Sequence, residues 1–547
     1  MPRYFSRRQF IASSSVAAAA GMVTADQRAD SRSVAAGSEV ARTGEAAGEK
    51  LACFNIFAFD DYTISFMDNL FLTMAPAQKY ANNPILPHGP AGSVDAHRAQ
   101  FYGSVIRIGT KYRMWYAACD HVSPSQWIGY HVAYAESDDG LHWVKPSLGL
   151  VEHSGNTNNN LVYLSGNLDY TYVMPLAAYV LYEPDDKDPS RRYKMAVYGC
   201  CNEASRETPQ TPHPTIYPYF SRDGFHWELA VPAPKQGGAF SRSEAPVPAR
   251  RGFEVAGLYA FDGVYYVAGQ QGWPDAWMPD GAPAGRTGVI HWSGDFIHWS
   301  QSRSFSFQRY GYRSLQKDLQ EAHEPFGVWD RGNVLLGLYG LWHGSTYWTE
   351  RRMDLGLVLS NDGVHFREPV ADFVFLAAGK DNEWDRRGLI QGQGYENVGE
   401  QTYVYYGTWD LSAEVDPPAS IGLATLRRDG FGYLSTRWPG EGGLTTKPLT
   451  LPGREAFLSV NAEGLNDATG LEVEVKDKWG RGIAGYSGAE AARVNSSGVK
   501  VAVHWGEKKS LSVGPQPLRL AIRFRGEHPE NIKFYAAYLE YDKIPSA

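Results

Sequence analysis

Apolar and polar residues alternate along this chain in short runs, broken by Gly, Asp or Pro, which predicts strands and hairpins rather than helices. Five such runs are Lys111-Tyr112-Arg113-Met114-Trp115-Tyr116, Arg192-Tyr193-Lys194-Met195-Ala196-Val197, Val264-Tyr265-Tyr266-Val267, Val334-Leu335-Leu336-Gly337-Leu338 and Thr402-Tyr403-Val404-Tyr405-Tyr406. Each precedes a second element. Its copies are Ser137-Asp138-Asp139-Gly140-Leu141-His142-Trp143, Ser221-Arg222-Asp223-Gly224-Phe225-His226-Trp227, Ser293-Gly294-Asp295-Phe296-Ile297-His298-Trp299 and Ser360-Asn361-Asp362-Gly363-Val364-His365-Phe366. A worn fifth copy stands at Arg427-Arg428-Asp429-Gly430-Phe431. The Asp of successive copies lie 84, 72, 67 and 67 residues apart.

Asp-Gly pairs mark tight hairpin turns, and a repeat of this length built from about four short strands is the signature of a propeller blade. The reading is all-β, with a five-bladed β-propeller over residues 51–435. Beyond it the alternation continues without the repeat, in Leu471-Glu472-Val473-Glu474-Val475, Val499-Lys500-Val501-Ala502-Val503 and Leu518-Arg519-Leu520-Ala521-Ile522-Arg523-Phe524. Residues 436–547 are therefore expected to form a β-sandwich.

Composition fits this picture. With 547 residues, 43% hydrophobic and 20% charged, the chain has material for a large core and for more than one domain. A net charge of −8 argues against a nucleic-acid partner, which needs a concentrated basic face. No uncharged apolar run reaches the ~18–20 residues of a membrane span. Four cysteines are too few for a disulfide scaffold, and no Cys or His spacing supports a metal site. No cofactor is expected.

The first residues carry an address. Ser6-Arg7-Arg8-Gln9-Phe10-Ile11, followed by small apolar residues to Val23, resembles a twin-arginine export signal ending near residue 25. Residues 26–50 have the composition of a disordered linker. The expected location is outside the cytoplasm of a bacterium.

The repeated His (His142, His226, His298, His365) fall on equivalent hairpins around a ring, so they are structural rather than metal ligands. Chemistry is expected at the opposite end of the blades. There the connections are long and rich in rings, His and Arg: residues 119–131, 200–217, 270–291 and 342–354. They include Trp273, His343, Trp348, Arg351 and Arg352. Aromatic platforms flanked by Arg and carboxylates suit sugar rings, whose C–H faces stack while their hydroxyls hydrogen-bond. The expected partner is a carbohydrate substrate.

A five-bladed propeller followed by a sandwich resembles glycoside hydrolase family 32, the invertase and levanase group, with the family 43 arabinanases and xylosidases as relatives. Glu254-Val255-Ala256-Gly257-Leu258-Tyr259 is similar to that family's Glu-Cys-Pro-x-Leu-Phe segment. The resemblance implies that Glu254 is the acid that protonates the leaving oxygen. On blade one the family's Asp is replaced by Gln100 or Phe101, with Asp95, His97 and Arg98 nearby. On blade two Met174-Pro175 stands in place of Arg-Asp-Pro.

Replacement carboxylates are available on blade four, in Glu321-Ala322-His323-Glu324-Pro325, which begins an inner strand as Glu254 does. Blade five adds Gln391 and Gln393, which can hydrogen-bond to sugar hydroxyls but cannot transfer protons. The expected catalytic set is thus Glu254, Glu321, Glu324 and Asp95. His97, Arg98, Gln100, His323, His343, Trp273, Trp348, Arg351, Arg352, Gln391 and Gln393 are expected to bind substrate. The expected reaction is hydrolysis of a glycosidic bond. A polysaccharide lyase, using His with Arg to neutralise a uronate, is the alternative, and a non-catalytic glycan-binding propeller is a third reading.

Overall fold

The computed structural model describes residues 52–121, 130–166, 173–201, 215–234, 240, 244–247, 253–271, 286–309, 322–343, 350–412, 417–451, 455–512 and 516–541. The signal and linker expected in the first fifty residues lie outside them. The described residues contain strands and short 3-10 turns and no α-helix, as the alternation predicts.

Between residues 78 and 427 the strands form five successive groups, antiparallel except for the edge strand Tyr163–Leu164, which runs parallel to His226–Leu229. The first strands of the groups are Arg98–Ile108, Val173–Tyr182, Phe253–Phe261, Ala322–Asp330 and Leu389–Val398. Each packs against the first strand of the next group, and the fifth packs against the first, so these inner strands close a ring. A parallel pairing of Gln393 with Ser104 and of Gly394 with Val105 seals the fifth group to the first. The outermost strand of the fifth group, Gln78–Lys79, comes from the start of the chain.

Close approach of the inner strands needs residues without a side chain. A Cβ on Gly257 would lie 2.0 Å from the Phe326 carbonyl oxygen, and one on Gly327 would lie 2.1 Å from that of Gly392. Each first strand also shifts register against its second strand, at Gln100/Ser104, Tyr198/Gly199, Val255/Gly257, His323/Gly327 and Gln391/Tyr395. Irregularities of this kind bend a strand and re-aim the side chains before them.

The repeated turns follow the third strands, which end at Ser137, Ser221, Ser293 and Ser360. In each, the Asp accepts two backbone N–H groups and the Ser hydroxyl, and its second oxygen meets the His Nδ1 at 2.6–2.9 Å. Gly140, Gly224 and Gly363 take the left-handed conformation these turns require, and in the third copy Phe296 adopts it at φ 68°. The turns also join neighbouring groups. The carbonyl of Gly140 accepts from Tyr405, that of Gly224 from Trp115, and that of Gly363 from Tyr259.

The two remaining sheets draw strands from both ends of the chain. Ala52–Phe57 pairs with Lys533–Tyr541, Ile64–Asp68 with Gly442–Thr446, and Leu70–Met74 with Gly432–Thr436. The boundary expected at residue 435 therefore runs through the strand Gly432–Thr436. Residues of the two sheets share one apolar cluster, which includes Ile56, Leu444, Leu458, Val473, Ile522 and Leu539. A second apolar cluster joins Phe57, Phe59 and Tyr538 to Leu336, Leu357 and Val404 of the ring. At that junction Asp429, the Asp of the worn fifth copy, is buried and accepts from Arg331, Asn397 and Tyr538.

Candidate functional site

The inner strands begin at one end of the ring, where the second strands end and the third strands start. There Glu254 opens the third inner strand, partly buried, and its Oε2 accepts from Gln270 Nε2 at 2.5 Å. In the fourth group, Glu324 lies two residues before Phe326, whose carbonyl packs on Gly257. The backbone thus starts neighbouring inner strands with Glu254 and Glu324 at the same end. The side chain of Glu324, together with Glu321, Trp273 and Trp348, lies outside the described residues.

The same end of the third and fourth groups carries rings and guanidinium groups. Arg286 lies 4.8 Å and Arg351 lies 4.9 Å from the centre of the Trp342 ring, contacts that stabilise a cation against an indole face. His323, 0% exposed, sits edge-on to Trp342 at 5.2 Å and meets Trp409 at 5.5 Å. It thus ties the fourth group to the fifth inside the protein. Beside it, Asp354 accepts from Arg352 Nε at 3.2 Å and from the Ala378 amide at 2.7 Å, and its other oxygen lies 3.1 Å from His343 Nε2. Burial would raise the Asp354 carboxyl, but these donors outweigh it and hold it below the usual range. Asp354 therefore stays ionised and fixes His343 and Arg352 in place.

The first group presents a different arrangement. Asp95 is 1% exposed and its oxygens are engaged by Lys145 at 2.5 Å, Tyr116 at 2.9 Å and Ser93 at 3.1 Å. Arg98 donates to the Tyr130 hydroxyl, which donates on to Gln100, so both are tied into a buried chain. The backbone N–H of His97 bonds the Cys119 carbonyl. The next residue, Asp120, sits between two imidazoles, at 2.6 Å from His121 Nδ1 and 3.0 Å from His153 Nε2. His131 stands edge-on to His153 at 5.0 Å, and burial, with His153 beside it, pushes its pKa down to about 4. A carboxylate between two His is not among the sequence-based expectations. His153 lies 33 residues from Asp120, and no local motif connects them.

In the fifth group, Gln391 is wholly buried. Gln393 reaches across the ring: its Oε1 accepts from the Leu258 amide at 3.0 Å and its Nε2 approaches the Val180 carbonyl at 3.5 Å. It thus links the fifth inner strand to the third and second, a positioning role beneath the site. Among the described residues, no group of three or more His, Cys, Asp or Glu is placed to hold a metal ion.

The fold can be set beside known proteins. Glycoside hydrolases are among its structural neighbours. A glycosyl hydrolase of Bacteroides ovatus is 14% identical, with 65% of this chain and 94% of that one covered at a TM-score of 0.40. An exo-β-1,3-galactanase of Phanerochaete chrysosporium is 10% identical, covering 86% and 100% at 0.35. A β-1,2-mannobiose phosphorylase of Listeria innocua is 13% identical, covering 64% and 97% at 0.40. These scores are too low to assign a role to any residue. No protein-family model and no curated protein matches the sequence.

Proposed function

We propose that this chain is an exported glycoside hydrolase, a five-bladed propeller with a β-sandwich, that cleaves a glycosidic bond at the loop end of the ring. One observation carries the reading: Glu254 opens an inner strand at the end where Trp342, Arg286, Arg351 and His343 gather, with Gln270 orienting its carboxyl. Glu254 acts as the acid that protonates the leaving oxygen. A carboxylate of the neighbouring inner strand, Glu324 or the preceding Glu321, attacks the sugar or activates water. A separation of about 5 Å between the two carboxyls gives retention of configuration, and about 6.5–9.5 Å gives inversion. Asp95, committed to Lys145, is left with a structural role, and Asp120 supplies a further carboxylate at the same end.

The test is incubation with neutral and uronic-acid glycans while following reducing ends and the ultraviolet absorbance of unsaturated uronates. New reducing ends without that absorbance are expected. The two guanidinium groups on Trp342 favour one second reading, a lyase in which they neutralise a uronate carboxylate. Absorbance growing with the reducing ends would establish that reading and remove the first. Export is tested separately: replacing Arg7 and Arg8 with Lys should strand the precursor inside the cell, and undisturbed export would refute the twin-arginine route.

A further inference from the structure

A second site lies on the outer face of the sheet formed by Ile64–Asp68, Gly442–Thr446, Leu518–Gly526, Thr469–Asp477 and Ala492–Val494. There a groove of about 380 Å³ runs along the strands, with Gly443, Thr445 and Ala521 among its lining residues. The strand register explains it. Phe66, Thr445, Ala521 and Glu474 form one row across four strands, and Asp68, Gly443, Arg523 and Glu472 form the next. The small residues of the two central strands make a floor between taller walls.

One wall is apolar. Phe66 is 62% exposed, with the Arg519 guanidinium 5.8 Å from its ring centre. The Arg519 Nε bonds the carbonyl of Lys478, and Trp479, the next residue, is 74% exposed at the same end. The other wall is formed by Arg523 and Lys476, which Glu472 and Glu474 hold from behind. Arg523 lies 3.8 Å from Glu472 and 3.7 Å from Glu474, and Lys476 lies 3.3 Å from Glu474. A hydrogen bond from the Gly488 amide and the charge of Lys476 hold the Glu474 carboxyl below its usual range against the effect of burial.

We infer that this groove binds a neutral, hydroxyl-rich glycan strand, apart from the loop end of the ring. An exposed ring opposite a fixed row of donors and acceptors offers stacking to the C–H face of a sugar and hydrogen bonds to its hydroxyls. The charged residues of the lining, Asp68 and Glu441 against Lys476 and Arg523, balance and give no preference for a charged ligand. The strands that carry Phe66 and Glu474 lie three spacings apart, about 14 Å, which leaves room for a single sugar chain between them. A sheet face offers no free main-chain edge, so a peptide laid there would gain no strand pairing.

The test is affinity electrophoresis of the full chain, in a Glu254→Gln background so that no polymer is consumed, in gels containing arabinan, galactan, xylan or laminarin. At least one polymer should retard the protein, and Phe66→Ala should weaken that retardation at least tenfold. Thr445→Arg, which fills the floor, should do the same, with melting temperatures within a degree or two of the parent confirming that both variants fold. Retardation by none of the four polymers, or retardation that both variants retain, would overturn the inference. The readout needs no turnover, so an absence of hydrolysis would count against the proposed function and leave the groove standing.

Discussion

At one end of the five strand groups, four hairpins repeat the same hydrogen bonds almost atom for atom. At the other, the described side chains vary from group to group. Ser, Asp, His and an aromatic ring recur at the turn end because every hairpin must close itself and lock onto a neighbouring group. At the loop end the third group begins with Glu254 and the fourth with His323 between two indoles, while the first ends its second strand beside Asp120. Repetition therefore marks structure, and departure from the repeat marks the places where chemistry can reside. Even within the turn series the exception is informative. The fifth copy has lost its Ser and His, and its Asp429 is spent on Arg331 and Tyr538 at the junction with the C-terminal sheets.

The contrast can be broken most sharply at Glu254. Glu254→Gln should lower the rate of glycoside cleavage by roughly 10²–10⁴-fold, the usual contribution of a positioned acid. Its melting temperature should stay near that of the parent, because Gln can still hydrogen-bond to Gln270. A variant that keeps full activity would remove Glu254 from the mechanism. At the turn end the expectation reverses. Asp295→Ala leaves the Ile297 and His298 amides without their acceptor, and should cost about 1–2 kcal/mol in denaturant unfolding with turnover untouched. Loss of activity without loss of stability in that variant would contradict the division.

A smaller effect sharpens the same point through pH. Burial alone would raise the carboxyls of Asp139, Asp223, Asp295 and Asp362. Hydrogen bonds from the His ring, the amides and the Ser outweigh it and hold all four below the usual carboxylate range. A carboxyl depressed in the folded state stabilises fully above its unfolded pKa, and that contribution is lost as pH falls through the unfolded value toward the folded one. The stability difference between the parent and Asp295→Ala should therefore be constant above about pH 5 and shrink towards about pH 2. A difference that grows on acidification would show that the Asp acts otherwise.

What is legible in the sequence follows the range of the interactions. The hairpins are legible because Ser, Asp, Gly and His contact one another within five residues. The inner strand beginning at Glu254 is legible through its fixed distance from the Asp262-Gly263 turn. Pairings made across the chain are not. Nothing local says that Ala52 will lie beside Tyr541, or that the first strands will complete the C-terminal sheets. Asp95 stands out because His97 and Arg98 follow it, yet its partner Lys145 is fifty residues away. Gln393 reads as a ligand for sugar hydroxyls, while its amide instead spans the ring toward Leu258 and Val180. Asp120 gives no local signal because His153, which completes its surroundings, arrives from a separate loop.

The claim that chemistry resides at the loop end is tested most directly by a crystal structure of Glu254→Gln soaked with an oligosaccharide that the parent cleaves. The account predicts sugar rings at the loop end, with the bridging oxygen of the scissile bond within about 3 Å of the residue-254 side chain. Sugar seated only at the Asp-Gly turns or only in the groove beside Phe66, with residue 254 out of hydrogen-bond reach, would contradict it.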